Sequence, residues 1–221
     1  MIITFSGVDC SGKSTQIELL RQYFISQGKT VTVFWYRPGY SNELQKTKDI
    51  LKFGFRKLRK HQNNASNTHT IQPNAEIKTT PHQVPAPIWL TTALMDTATQ
   101  WTLKLRYLES KFDVVICDRY VEDAKLDLRM KFPHLYWPNF VLSACEKLFP
   151  KPDCSLLLWL PYEEMLRRVD EKNEPFPDDA QTRKMRYRAY EIMADDDAYT
   201  LIDTSGTKAS TQAKILQTVL G

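Results

Sequence analysis

The sequence predicts an α/β fold in which helices cover both faces of a parallel β-sheet. Five short runs rich in β-branched and aromatic residues alternate with longer stretches of helical periodicity, which is the pattern of successive β-α units. The composition, 42% hydrophobic and 25% charged, is that of a globular chain and excludes a disordered or fibrous one. At 221 residues the length suits one domain with an insertion. We therefore expect a single three-layer α/β/α domain over residues 1–221.

The predicted strands are short and strongly apolar, as expected for strands that are covered on both faces. They span residues 1–6, 31–36, 113–117, 155–160 and 199–203. The predicted helices repeat their apolar residues every three or four positions, so that one face of each can pack on the sheet. They span residues 13–27, 88–110, 138–148, 162–172, 178–194 and 207–220.

Residues 61–87 interrupt this alternation. They are rich in Asn, Thr, Gln, Pro and His and show no usable periodicity. A loop of this length inside a domain is an insertion or a functional lid. Three of the four histidines lie there, but neither cysteine nor paired carboxylates accompany them, so a metal site is not favoured.

Several absences point to the compartment. No apolar run approaches the ~18–20 residues that span a bilayer, and the first residues lack the basic and apolar regions of a signal peptide. The four cysteines form no C-x-x-C pair. We therefore expect a cytoplasmic protein with reduced thiols and no transmembrane segment.

The most informative motif follows the first strand. Residues 7–14 read GVDCSGKS, which fits G-x-x-x-x-G-K-S/T at the start of a predicted helix. Gly7 and Gly12 allow the backbone to turn so that its N–H groups and the helix dipole converge on phosphate oxygens. Lys13 then reaches the terminal phosphates, and the Ser14 hydroxyl binds Mg²⁺. The alternative is a tight turn that caps an ordinary helix. The predicted nucleotide-binding residues are Gly7, Val8, Asp9, Cys10, Ser11, Gly12, Lys13, Ser14 and Thr15.

A second motif follows the third strand. Four apolar residues end in Asp118, which places its carboxylate at the carboxyl edge of the sheet, beside the phosphate loop. There it can hold Mg²⁺ through water, while Arg119 faces phosphate. The alternative is an ordinary surface ion pair at a strand end.

Together these motifs resemble the thymidylate kinase family. The ordered series consists of GVDCSGKSTQ at residues 7–16, Arg37-Pro38-Gly39, Asp118-Arg119-Tyr120, Pro150-Lys151-Pro152-Asp153, Arg167-Arg168 and Ile202-Asp203. The resemblance covers both ends of the chain but not residues 40–87. It implies a P-loop NTPase fold with a five-stranded parallel sheet, ATP and Mg²⁺ as cofactors, and transfer of the γ-phosphoryl group to a nucleoside monophosphate, with dTMP as the best candidate. It is also compatible with a homodimer.

The resemblance also implies roles for single residues. Asp9 would contact the acceptor sugar or orient its phosphate, and Arg37, Arg119 and Tyr120 would bind the acceptor. Because Cys10 leaves the phosphate loop without a basic side chain, the cations on the other side of the transferred group are assigned to a lid at about residues 167–180. The predicted catalytic residues are Lys13, Asp9, Arg119, Arg167 and Arg168, with Lys172 beside the last two.

The departures from the family pattern concentrate on the acceptor side. The family's Asp-Arg pair reads Asp96-Thr97 here, and Asp123 stands where the family usually has Ser. Fewer cations would therefore meet an acceptor phosphate. Two alternatives stay open beside a nucleoside monophosphate kinase: a P-loop kinase of another small molecule, and a non-catalytic ATP-operated switch.

The net charge of +4 is concentrated in one segment. Residues 46–60 carry seven basic residues and one acid, so this segment is +6 and the rest of the chain −2. That distribution gives little support to nucleic-acid binding. The segment is predicted to form an amphipathic basic helix with three possible roles: a solvated cover of the core edge, an acceptor clamp, or a contact with a membrane surface or polyanion.

Overall fold

The computed structural model describes residues 1–38, 86–172 and 178–221. Three predicted features lie wholly or mostly outside the described residues: the basic helix at 46–60, the insertion at 61–87, and the middle of the lid at 173–177. Residues 86 and 87, assigned to the end of the insertion, already belong to a helix.

A sheet of five parallel strands runs through the described residues, as predicted. The strands are β1 (Ile2–Gly7), β2 (Val31–Trp35), β3 (Val114–Asp118), β4 (Cys154–Trp159) and β5 (Thr200–Asp203). Their spatial order is β2-β3-β1-β4-β5. Every predicted strand is found, with bounds that differ by at most one residue.

The helices also follow the predicted periodicity. They are α1 (Lys13–Ser26), α2 (Ala86–Thr99), α3 (Leu105–Lys111), α4 (Val121–Lys131), α5 (Trp137–Cys145), α6 (Tyr162–Lys172), α7 (Ala180–Ala194) and α8 (Lys208–Leu220). A π-helical turn at Gln100–Lys104 joins α2 to α3, so the helix predicted over 88–110 is one continuous helical segment. A short 3₁₀ turn at Glu146–Leu148 extends α5 to the predicted end.

Helix α4 was not predicted, and the reason lies in its surroundings. Its buried residues include Asp123 and Lys125 as well as the apolar side chains. A helix that is buried on several sides, with charged residues among those buried, has no apolar stripe that periodicity could reveal. Its end signals were present, because acidic residues occupy its first turn and Arg129 and Lys131 its last.

The central strand β1 supplies the core on both faces of the sheet. Ile3 and Phe5 pack with α1 and α8, whereas Ile2 packs with residues of α2–α5. All three side chains are fully buried, which contributes about 1.5–3 kcal/mol each. A third cluster, around Leu157 and Tyr190, lies beneath α6 and α7. The sheet thus has helices on both faces, as the α/β/α prediction required.

The strand order positions the functional site. β1 lies between β3 on one side and β4 on the other, so the order reverses at β1 and opens a crevice at the carboxyl edge of the sheet. The phosphate loop leaves β1 at this point. No helix in the described part of the chain is long and apolar enough to cross a membrane.

Candidate active site

The phosphate loop has the backbone shape that its glycines predict. Gly7 has φ 143°, and a Cβ built there would lie 2.2 Å from the carbonyl oxygen of Leu158. Gly12 has φ 83° and immediately precedes α1. Cys10 also adopts a positive φ, 57°, which is uncommon for a residue other than glycine. The close approach to β4 makes glycine obligatory at position 7.

Lys13 folds over its own loop. Its Nζ donates hydrogen bonds to the carbonyl oxygens of Gly7 at 2.9 Å and Val8 at 2.8 Å. Desolvation by burial, followed by the charge of Arg119, lowers the pKa of Lys13 to about 8. Both effects disfavour the ammonium form of Lys13. A bound polyanion would favour that form, because its negative charges would stabilise the ammonium group.

A cleft of about 870 Å³ opens above the loop, in the size range of small-molecule sites. Seven basic side chains line it, namely Lys13, Arg37, Arg119, Arg168, Lys172, Arg186 and Lys208. The acidic side chains in its lining are Asp9, Asp118, Glu171 and Asp178. The excess of cations suits a ligand with several negative charges.

The structure brings most of the predicted site residues into this cleft. Residues 9–15, Arg37, Asp118, Arg119 and Arg168 all line it. Gly7 and Val8 lie just below, where their carbonyl oxygens meet Lys13.

Two further predicted residues do not line the cleft. The Arg167 side chain is 57% exposed and its guanidinium pairs with Glu164 and Glu171 on its own helix. Tyr120 lies in the apolar cluster of Trp101, and its hydroxyl donates to the carbonyl oxygen of Pro150 at 2.5 Å. Neither side chain is among the residues that line the cleft.

Ser14 and Asp118 carry the kind of oxygen ligand that Mg²⁺ prefers. Both line the cleft, and Mg²⁺ is usually held by one or two protein ligands plus substrate phosphates and water. Burial raises the pKa of the Asp118 carboxyl, against the opposing charges of Lys13 and Arg119. Within the described ranges, no three His, Cys, Asp or Glu side chains cluster as a complete metal cage. The donor set therefore fits a cation that arrives with a nucleotide.

Arg119 is held from behind by a buried polar network. Its backbone has φ 80°, and its Nη1 donates to the Tyr190 hydroxyl at 3.5 Å. That hydroxyl donates to Asp123 at 2.7 Å, and Asp123 also accepts from the Ser6 hydroxyl at 2.5 Å and from the backbone N–H of Tyr120 at 3.0 Å. Asp123, three residues after Tyr120, therefore connects α4 with β1 and α7 next to Arg119.

Several further residues at the site were not predicted. Asp127 binds Arg37 through both of its oxygens, at 2.5 and 2.8 Å, and also accepts from Arg186 at 2.8 Å. Arg186 pairs with Asp178 at 3.1 Å as well. Trp35, half exposed at the end of β2, also lines the cleft. The four-residue spacing of Asp123 and Asp127 could have indicated a shared helix face; Arg186 gave no local signal.

Arg168 takes a position near β5. Its Nε donates to Glu164 at 2.7 Å and its Nη2 to the carbonyl oxygen of Thr204 at 3.1 Å. It thus connects α6 with the loop that follows β5. This places Arg168 near the β5 edge of the sheet, whereas Arg37 follows β2 at the opposite edge.

A comparison with protein families agrees with this arrangement. The family model described as thymidylate kinase matches residues 91–215, which is more than half of the chain. The match begins after the phosphate loop, so the loop is identified by its own sequence and geometry. The family match supports, in general terms, the activity of a nucleotide kinase.

Proposed function

Because the chain belongs to the thymidylate kinase family, we propose that it is an ATP- and Mg²⁺-dependent nucleoside-monophosphate kinase. The best candidate reaction is dTMP + ATP to dTDP + ADP. One observation carries the proposal: a phosphate loop with its lysine and two further arginines, Arg37 and Arg119, face one cleft. The donor would bind on the loop, and the acceptor phosphate would bind beside these arginines.

On the donor side, the loop from residue 7 to 15 would hold the triphosphate with backbone N–H groups at the start of α1. Lys13 would leave the carbonyl oxygens of its own loop and pair with the terminal phosphates. Ser14 and Asp118 would hold Mg²⁺, which neutralises charge on the transferred phosphoryl group.

On the acceptor side, Arg37 and Arg119 would hold the acceptor phosphate close to the γ-phosphate, since a planar guanidinium can bind two oxygens at once. Asp9, which is 35% exposed in the cleft, would align these cations or accept a hydrogen bond from the acceptor. Phosphoryl transfer depends mainly on such positioning and on neutralising charge from two directions.

Arg168 and Lys172 would supply cations from the α6 side of the cleft. Arg167 stays a prediction, because its guanidinium would have to leave Glu164 and Glu171 to reach the cleft. Tyr120 as an acceptor ligand also stays a prediction, and its buried hydroxyl argues for a structural role.

A phosphorylated sugar is the second candidate acceptor. The observation in its favour is the group of carboxylates on the acceptor side, where Asp9 and Asp178 are 35% and 39% exposed. Partly exposed carboxylates accept hydrogen bonds from hydroxyl groups. Such a kinase would keep the same donor site.

The test is a screen for ADP release with ATP, Mg²⁺ and single acceptors: deoxynucleoside monophosphates, ribonucleoside monophosphates and sugar phosphates. We expect turnover with dTMP or another monophosphate, and a loss of about 10³-fold or more in Lys13→Ala. Arg188→Gln, on the exposed side of α7, is the matched control and should retain activity.

The screen also separates the kinase from an ATP-operated switch. MgATP binding by calorimetry without ADP release from any acceptor would overturn the kinase and favour the switch. Failure of well-folded protein to bind MgATP would overturn both.

A further inference from the structure

We propose that Arg186 is a third ligand of the acceptor phosphate, and that it acts with Arg37 as a pair of guanidinium groups aligned by Asp127. The proposal rests on the proposed function and deepens it, because it assigns the residue on α7 that completes the acceptor side. We define the clamp as Arg37, Arg186 and Asp127.

The geometry of the clamp comes from one shared oxygen. Oδ1 of Asp127 accepts from Nη2 of Arg37 at 2.8 Å and from Nη1 of Arg186 at 2.8 Å. The two donor nitrogens are therefore separated by at most twice that distance. Two guanidinium groups this close can contact different oxygens of one phosphate group, and arginine pairs with such oxygens in parallel hydrogen bonds.

Arg186 lies beside the phosphate loop. Its Nε lies 3.9 Å from Oδ2 of Asp9, a residue of the phosphate loop. Arg186 also lines the cleft together with Lys13 and Arg119. A phosphate between Arg37 and Arg186 would thus lie next to the loop that holds the donor.

Burial argues that Arg186 has more than a structural role. Its side chain is only 8% exposed, and removing a guanidinium from water is costly even when it is paired. Buried ion pairs are therefore weak sources of stability, and a buried arginine on the wall of an anion-binding cleft indicates a ligand. Burial by itself would lower the pKa of Arg186, but the carboxylates of Asp127, Asp9 and Asp178 outweigh this effect and raise the pKa. Arg186 is therefore cationic at neutral pH.

Arg186 also retains capacity for a ligand. In the hydrogen bonds described for residues 1–38, 86–172 and 178–221, it uses Nη1 for Asp127 and Nε for Asp178. A guanidinium has five N–H donors in a fixed fork. Asp127 thereby acts as a positioning residue, because it fixes the orientation of two arginines that both line the cleft.

The experiment measures binding without chemistry. Full-length protein is saturated with Mg²⁺ and a non-hydrolysable ATP analogue, and dTMP, thymidine and inorganic phosphate are titrated by calorimetry. The variants are Arg186→Gln, Arg186→Lys and the control Arg188→Gln. Affinity for the ATP analogue and the near-ultraviolet circular dichroism spectrum report that each variant is folded.

We expect Arg186→Gln to weaken dTMP and inorganic phosphate by about 10- to 100-fold, the loss typical of a hydrogen bond to a charged group. Thymidine should change less than about twofold, because it lacks the phosphate. Arg186→Lys should recover part of the loss, since it keeps the charge but not the fork. Arg188→Gln should behave as the wild type.

Three results would overturn the clamp. One is unchanged dTMP and phosphate affinity in folded Arg186→Gln. Another is an equal loss of dTMP and thymidine affinity, which would assign the effect to the acceptor pocket as a whole and not to the phosphate. The third is a wild type that binds neither inorganic phosphate nor any monophosphate.

A second variant covers the case in which Arg186→Gln does not fold. Asp127→Asn keeps the shape of the side chain but removes the charge that aligns both arginines, and we expect it to weaken inorganic phosphate by about three- to tenfold. Unchanged affinity in this variant would also overturn the clamp. The acceptor screen is a separate readout: if phosphate binding depends on Arg186 but no acceptor releases ADP, the clamp stands and the kinase assignment fails.

Discussion

The Nζ atom of Lys13 lies 2.8 Å from the carbonyl oxygen of Val8, within the phosphate loop to which both residues belong. A second hydrogen bond, to Gly7 at 2.9 Å, completes this internal arrangement. A bound triphosphate would compete with these two carbonyl oxygens for the ammonium group. Nucleotide binding would therefore be coupled to the protonation state of Lys13.

We expect nucleotide affinity to fall as the pH rises through about 8. Burial lowers the pKa of Lys13 from 10.5 to about 8, and only the ammonium form attracts phosphate. Since a bound polyanion raises that pKa again, MgATP should bind with proton uptake near pH 8.5. Calorimetry in buffers of different ionisation enthalpy measures the uptake. Equal uptake in Lys13→Met would contradict the assignment to Lys13.

The same shift predicts the pH dependence of folding stability. Between pH 8 and 10.5, residue 13 binds more protons in the unfolded chain than in the folded protein. The contribution of Lys13 to the free energy of unfolding should therefore increase with pH across this window. Urea unfolding of the wild type and of Lys13→Met at pH 7.5 and 9.5 measures this contribution of Lys13. A stability difference between the two proteins that does not change with pH would contradict this prediction.

Alanine at the two loop glycines should have unequal effects. Gly7→Ala places a Cβ 2.2 Å from a backbone oxygen of β4, so we expect a loss of more than about 3 kcal/mol in the free energy of unfolding. At Gly12 nothing lies within 4 Å of the added Cβ, and only the left-handed backbone costs about 1–2 kcal/mol. Urea unfolding measures the loss of stability in each variant. Equal losses in Gly7→Ala and Gly12→Ala would show that a small backbone shift relieves the contact with Leu158.

Tyr190→Phe should reduce turnover through Arg119. Burial raises the pKa of Tyr190 well above its usual value of 10, so its hydroxyl remains protonated and donates to Asp123 while it accepts from Arg119. Its removal should destabilise the fold by about 1–3 kcal/mol, because Asp123 loses a donor. We also expect turnover to fall about tenfold or more, since a displaced Arg119 would raise the activation barrier for phosphoryl transfer.

Tyr187→Phe is the matched control, since its hydroxyl donates to the carbonyl oxygen of Leu160 from the same helix. It should cost about 0.5–1.5 kcal/mol of stability and leave turnover unchanged. Equal effects of the two variants on turnover would show that Tyr190 acts only on stability.

Alkylation of Cys10 should inhibit the protein, and MgATP should protect it. Cys10 is partly exposed, lines the cleft and follows Asp9 in the phosphate loop. By contrast, burial raises the pKa of Cys117 to about 12 and also raises that of Cys154, which disfavours the reactive thiolate at both. Peptide mapping after a limited reaction identifies the modified cysteine. Inhibition that persists in Cys10→Ser would assign the effect to another thiol.

Local signals were sufficient for the sheet and for the position of the phosphate loop. Apolar runs bounded by turn residues identified all five strands, and G-x-x-x-x-G-K-S identified a loop of consecutive residues that lines the cleft. Asp118 was placed correctly because a carboxylate at the end of a buried strand must lie at the sheet edge. Each of these inferences needed only neighbouring residues along the chain.

The proposed acceptor side depended on contacts between distant parts of the chain. Asp127 lies on a helix whose buried charges hide its periodicity, and its two arginine partners are 90 and 59 residues away in the sequence. Arg167 and Arg168 looked equivalent in sequence, yet only Arg168 faces the cleft, because adjacent helical residues point about 100° apart.

The sequence by itself determined the α/β architecture, the phosphate loop and the family, because these are encoded in short-range patterns of polarity and glycine. Only the tertiary structure decided which charged residues meet across the cleft. Ion pairs such as Arg186 with Asp127 form where helix packing brings side chains together, and such packing leaves no periodic trace in the chain.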